Sequence, residues 1–195
     1  MNYRVTIGLV VALLLVIVIT LVVTTQGGRD TPERVRLPSQ FFYQVDDDAI
    51  TKVVVAYEGE TARFVRDSQR KWHFDNPDGE LVNVERWGGI TLLLSGPQYK
   101  RLLTTQATDL AEYRLEKPPM VITVGLKDGR DFQIRVGDKT PQGSSHYSQF
   151  QAPGAETPQG IYLVDASWGD VMVRLVTEPP YLPTPTPEPT PEGET

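Results

Sequence analysis

Few residues in this chain have types and spacing that could do chemistry, and most of those fall at turns. There are two histidines and no cysteine. That removes disulfides, thiolate nucleophiles, cysteine-based zinc sites and a histidine-rich metal centre together. His73 lies on the polar side of the alternating segment Lys71–Asp75, where a surface imidazole is expected rather than a general base. Ser144-Ser145-His146 sets hydroxyls beside an imidazole, but a triad is assembled in space and not by adjacency, so it reads as a flexible turn before a strand. Gly137-Asp138-Lys139-Thr140 places Lys-Thr after glycine yet lacks the G-x-x-x-x-G-K spacing that cradles phosphate. The stretch through Gly143 is therefore read as a connection between strands. Asp46-Asp47-Asp48 lacks the ligand spacing and turn glycine of a calcium loop and reads as a solvated turn capping the next element. Glu58, Glu60, Asp128 and Asp131 sit at two hairpin turns. Paired carboxylates run acid–base work only when held at a defined separation in a cleft. Trp72, Trp87 and Trp168 each fall on an apolar face, as core residues do, rather than as sugar-stacking platforms. No catalytic, cofactor-binding or metal-ligating residue is assigned.

The elements that would position these residues alternate with period two, then change period. Ile50–Tyr57 is β-branched and apolar and predicts a mostly buried strand, with Thr61–Arg66 as its hairpin partner across Glu58-Gly59-Glu60. Trp72 and Phe74 share one face of the next strand, ended by Asn76-Pro77-Asp78-Gly79. From Asn83, a predicted N-cap, Val84, Trp87, Thr91 and Leu94 recur at helical steps, widened by Ile90 and Leu93. One helix is predicted, weakened by Gly88-Gly89 and stopped by Ser95-Gly96-Pro97. Gln98–Thr104 reads as a strand, and Asp109-Leu110-Ala111-Glu112 has capping-box spacing for one helical turn.

The second half repeats this pattern. Val121–Leu126, the turn Lys127–Arg130 and Asp131–Val136 form a hairpin with Phe132, Ile134 and Val136 facing in. His146–Gln151 and Gly160–Val164 follow as strands, and Asp165 caps a helix carrying Trp168, Met172 and Leu175 on one stripe. Setting the turn Glu58-Gly59 over Asp128-Gly129 aligns Phe64 with Ile134 and Val54 with Val124. The expected fold is α+β: two strand-strand-strand-helix halves, an internal duplication, forming antiparallel sheet packed by helices.

One N-terminal transmembrane helix is expected before this domain. Val5–Val23 runs without a charge and is long enough as a helix to cross roughly 30 Å of hydrocarbon. It lacks an A-x-A-like cleavage site, so a retained anchor in the lipid bilayer is expected rather than a signal peptide. Arg29, Arg34 and Arg36 after the span slightly outweigh Arg4 before it, which opposes an exported domain on charge counting alone. A head as short as 1–4 is nevertheless easily kept inside, and the segment 179–195 suits an exported tail. That tail is rich in proline with Thr-Pro alternation and reads as extended polyproline II. The divisions read from the sequence are therefore residues 1–26 (head and anchor), 27–44 (linker), 45–178 (domain) and 179–195 (tail).

The order of landmarks resembles the bacterial domain of unknown function 4340 family. They are Lys71-Trp72-His73-Phe74 with Pro77, Leu110-Ala111-Glu112-Tyr113-Arg114-Leu115 with Pro118, and Lys127-Asp128-Gly129. Val136-Gly137-Asp138-Lys139-Thr140 and Ile161-Tyr162-Leu163-Val164 complete the series. The resemblance covers about residues 45 to 176, with Arg114 standing where the family usually has glycine. It implies an extracytoplasmic α+β domain and, as partners, subunits of an ABC-type transporter; it carries over no catalytic residue and no cofactor.

The net charge of −6 and the absence of a basic stripe exclude a nucleic-acid surface. The leading expectation is a non-enzymatic accessory domain, anchored in the cytoplasmic membrane and binding a membrane protein outside it. A glycan- or small-molecule-binding domain is the alternative, and an envelope hydrolase the least supported reading.

Overall fold

The β-branched stretches become strands in the computed structural model, which describes residues 40–106 and 109–183. The chain divides into Met1–Pro38 and Ser39–Thr195, and all described residues belong to the second unit. The predicted anchor at residues 5–23 lies outside the described residues. Among those that are described, no helix is long and apolar enough to cross a membrane.

Nine strands form one antiparallel sheet: β1 (Gln40–Phe41), β2 (Ile50–Tyr57), β3 (Glu60–Arg66), β4 (Trp72–Phe74), β5 (Gln98–Thr104), β6 (Met120–Leu126), β7 (Asp131–Lys139), β8 (Ser145–Gln151) and β9 (Gln159–Asp165). Their order across the sheet is β1-β5-β9-β8-β7-β6-β2-β3-β4. Two meanders, β2-β3-β4 and β6-β7-β8-β9, thus meet at an antiparallel β2/β6 pair. Among the described residues the α-helices are α1 (Val84–Trp87), α2 (Ile90–Ser95) and α3 (Ala166–Thr177), so the architecture there is an antiparallel sheet with a few helices.

Alternation fixes the core through register. Phe74, Phe64, Val53, Val124 and Phe132 lie opposite one another from β4 to β7. Ala62, Val55, Ile122, Ile134 and Phe150 form a second row from β3 to β8. All but the half-buried Phe150 are buried, and Met172 and Leu175 of α3 pack in the same cluster. Each row removes aliphatic and aromatic area from water at about 25 cal/mol per Å². β2 buries one face rather than most of its residues. A register shift between Ile50 and Lys52 changes the phase, so Val53 and Val55 are buried while Val54 is not. Aligning the two hairpin turns therefore matches Phe64 to Ile134, both buried, but puts half-buried Val54 over buried Val124.

The single helix expected from Asn83 to Ser95 is two. Asn83 caps α1 as predicted, its Oδ1 accepting from Glu85 N (3.0 Å) and Arg86 N (3.3 Å). Gly88 then leaves the helix (φ −51, ψ 128) and Gly89 takes φ 84, so α2 starts on a new axis. The break keeps Trp87, Ile90 and Leu94 buried but turns Val84 and Leu93 outward, contrary to the predicted stripe. Two further expectations are corrected. β7 runs on through Gly137, Asp138 and Lys139, which are strand and not a connecting loop. Glu112 N donates to Asp109 Oδ1 at 3.3 Å, yet residues 110–113 form only a turn, closed by Arg114 at φ 54. A side chain in the left-handed region is strained by about 1 kcal/mol where glycine is not. Arg114→Gly is expected to raise stability by about 0.5–1 kcal/mol, read as a higher urea midpoint.

Packing reaches beyond residues 45–178 at both ends. Phe42 stacks on Phe150 (5.3 Å between centroids) and Tyr43 on Phe132 (4.0 Å), though both fall in the predicted linker. Pro180, placed in the tail from sequence, is buried, and its carbonyl accepts from Asn83 N at 2.8 Å.

Candidate functional site

The carboxylates at the two hairpin turns are not brought together. Because β2 and β6 are antiparallel, the end of β2 (Tyr57) lies beside the start of β6 (Met120). Glu58 and Asp128 therefore sit at opposite ends of the sheet, separated by about 20 Å at 3.4 Å per strand residue. Asp131 instead pairs with Lys52 (2.9 Å) and Asp128 with Arg130 (2.7 Å). Asp48 is more than a solvated turn residue, since it pairs with Arg66 at 3.2 Å and with Arg70. Among the described residues, no group of three or more acidic or histidine side chains could hold a metal ion.

His73 lies on the polar side of β4, but it is not the surface imidazole expected: its side chain is only 12% exposed and both ring nitrogens are occupied. Nδ1 donates to the Gly79 carbonyl at 2.8 Å, and Nε2 lies 3.1 Å from Asp67 Oδ2. The Gly79 carbonyl and the Asp67 carboxylate hold the imidazolium above its ordinary value, while the Lys71 and Gln69 amides and His73 hold Asp67 below the usual carboxylate range. A raised histidine adds stability that is complete below about pH 6.5 and is lost as pH rises through the folded-state value. The urea midpoint is expected to fall as pH rises above that point in the parent chain, and to fall less in His73→Gln. An equal fall in both would remove His73 as the source.

Two of the concave surfaces among the described residues combine features that suit binding. The first is a polar cleft of about 240 Å³ at the β2–β6–β7 end of the sheet, bringing Glu58, Arg114, Asp138, Lys139, His146 and Asp170 together. His146 Nδ1 donates to the Gly137 carbonyl (3.1 Å), and that contact turns Nε2 toward Asp170. That nitrogen is buried and unpartnered, 3.9 Å from Asp170 Oδ1, and Asp170 is already engaged by Lys139 at 2.9 Å. Gly169 is what admits the ring, because a Cβ there would stand 2.8 Å from His146 Cδ2. Glu58 (φ 48) and Arg114 (φ 54) both hold strained backbone at this cleft, as residues at binding sites often do. The Ser144-Ser145-His146 run is thereby split: His146 turns toward Gly137 and Asp170, while Ser144 uses its carbonyl to accept from Lys100.

The second is an apolar groove of about 340 Å³, lined by Trp72, Leu81, Val82, Val84, Trp87 and Leu182, with Arg70 and Lys71 at its rim. The two indoles are 5.0 Å apart, tilted by 44°, and Trp87 rests on Phe64 at 4.5 Å. Val84 is 80% exposed at the groove's edge. The sequence pattern put Trp72, Trp87 and Val84 on core faces. Trp87 is indeed buried in the core and Trp72 and Trp168 pack against it, whereas Val84 is exposed; the groove wall is formed where Leu81 bridges back to His73 beside the two indoles.

The fold and site define an antiparallel α+β domain that carries an apolar groove and a polar cleft. No family model, curated protein or solved structure matches the chain.

Proposed function

We propose that this chain is a single-pass protein of the cytoplasmic membrane whose domain lies outside the cytoplasm and acts by binding another membrane protein. The observation that carries the binding reading is the Trp72–Trp87 groove with Leu81 and Val84 exposed beside it. Exposed apolar concavities rimmed by polar residues are where proteins dock. The uncharged run Val5–Val23 supports the anchor, and the family resemblance supplies the partner class, subunits of an ABC-type transporter. The pairing of the two meanders about β2/β6, each followed by helix, supports reading the domain as an internal duplication.

Val84→Glu tests the surface without testing the fold. Position 84 opens α1, where a carboxylate suits the helix N-terminus, so stability should be unchanged or slightly higher. Affinity capture of a discrete partner from membranes is expected to fall at least tenfold. Undiminished capture would remove the groove from the interface. The second reading is a small polar ligand in the His146 cleft, favoured by the buried, unpartnered Nε2 there.

A further inference from the structure

Leu182 is already seated in the groove, and the chain that delivers it is held at successive points. Arg86 donates to the Glu178 carbonyl (3.0 Å) and the Pro179 carbonyl (3.1 Å), and Asn83 N donates to the Pro180 carbonyl. Tyr181 stacks on Phe74 with centroids 4.4 Å apart. These contacts bring Leu182 to the wall of the groove that Trp72 and Trp87 also line. The residues that come next read Thr184-Pro185-Thr186-Pro187-Glu188-Pro189-Thr190-Pro191.

We propose that the Trp72–Trp87 groove is the intramolecular docking site of residues 184–191, so that the chain's own Thr-Pro segment covers the surface a partner would use. This rests on the binding reading above. Proline-rich segments are recognised by aromatic-lined grooves because their extended form is set before binding and little entropy is lost. Lys71 at the rim is opposite in charge to a segment whose charged residue is Glu188, followed by Glu192 and Glu194, while the neighbouring Arg70 is engaged by Asp48. Because only Pro183 separates the segment from Leu182, its effective concentration at the groove is on the order of mM. A weak intrinsic affinity, about 0.25 mM against about 1 mM effective concentration, would then keep the groove covered most of the time and slow a probe's access about fivefold.

The chain's lack of cysteine makes the test direct. Val84→Cys is placed in the full chain in detergent micelles and in the same chain ending at Pro183, and the rate of thiol modification by an uncharged maleimide is compared. The shorter chain should react about fivefold faster, and a synthetic peptide of residues 183–195 at several mM should restore protection. Lys71→Glu in the full chain should lose part of the protection. Equal rates in the two chains would overturn the proposal, as would protection that grows with protein concentration, which would place the segment of a second copy there. If the rates are equal while Val84→Glu still abolishes partner capture, the docking proposal fails and the binding reading stands. If capture survives Val84→Glu, the binding reading fails whatever the rates show.

Discussion

Replacing Phe64 by alanine is expected to cost about 3–5 kcal/mol, a large share of the 5–15 kcal/mol typical of a folded domain. The ring is fully buried in β3 and lies opposite both Val53 on β2 and Phe74 on β4. It also supports Trp87, whose centroid is 4.5 Å away. Truncation removes the transfer energy of the ring and leaves a cavity that strands on both sides, held by their ladders, cannot close. All three tryptophans of the chain, at 72, 87 and 168, fall in the domain, so their emission during urea unfolding of the intact protein follows the domain alone. A loss below about 2 kcal/mol, under the range for truncating a buried aromatic ring, would mean that the row from Phe74 to Phe132 is not packed as described. Because Phe64 sits beneath Trp87, the same variant should also weaken partner capture through the groove.

The second large effect is expected at Gly137. The turn Leu110–Leu115 closes over β7, with Asp138 N donating to the Tyr113 carbonyl at 3.2 Å. A Cβ on Gly137 would fall well inside van der Waals contact of that same carbonyl oxygen, and 3.2 Å from Leu115 Cδ2. Both obstacles are fixed: one is backbone and the other belongs to a fully buried side chain. Gly137→Ala is therefore expected to cost about 2–3 kcal/mol, near the top of the range for overpacking. It should also open the polar cleft, since the Gly137 carbonyl is what holds His146 and Arg114 closes the turn above it. Proteolysis between residues 109 and 118 should accelerate in this variant and not in Gly88→Ala, where φ is −51 and a Cβ makes only ordinary van der Waals contact at 3.4 Å. Equal cleavage of the two variants would show that the turn is not docked on β7.

How much of this was legible beforehand follows from the range of the forces involved. The strands and the caps at Asn83 and Asp165 were readable because alternation and capping act between near neighbours in the chain. Asp165 shows the cap in full. Its carboxylate takes Ser167 N at 2.9 Å and Lys100 at 2.7 Å, and these bonds lower its pKa to about 2. What sequence did not reveal was non-local. The pairing of β2 with β6 and of β5 with β9 joins segments far apart in the chain and decides that Glu58 and Asp128 lie apart. The groove depends on Leu81 and Val82 returning to β4 and on Leu182 from much further along the chain, contacts that helical spacing alone cannot register. The polar cleft needs Gly169 on α3 to leave room for the His146 imidazole on β8, two elements back along the chain. Glycine was noticed where it interrupts a pattern and overlooked where it makes space.

The central claim is that the surface around Trp72, Trp87 and Val84 meets another protein in the membrane. The most direct measurement places a photo-reactive amino acid at position 84 of the intact chain in its own membrane, with a second at Arg63 on the exposed side of β3 as the control. The account predicts a cross-linked species of discrete mass from position 84, absent from position 63 and lost when Leu81→Asp is added. Cross-links of the same pattern and yield from both positions, or a product from position 84 that Leu81→Asp leaves unchanged, would contradict it.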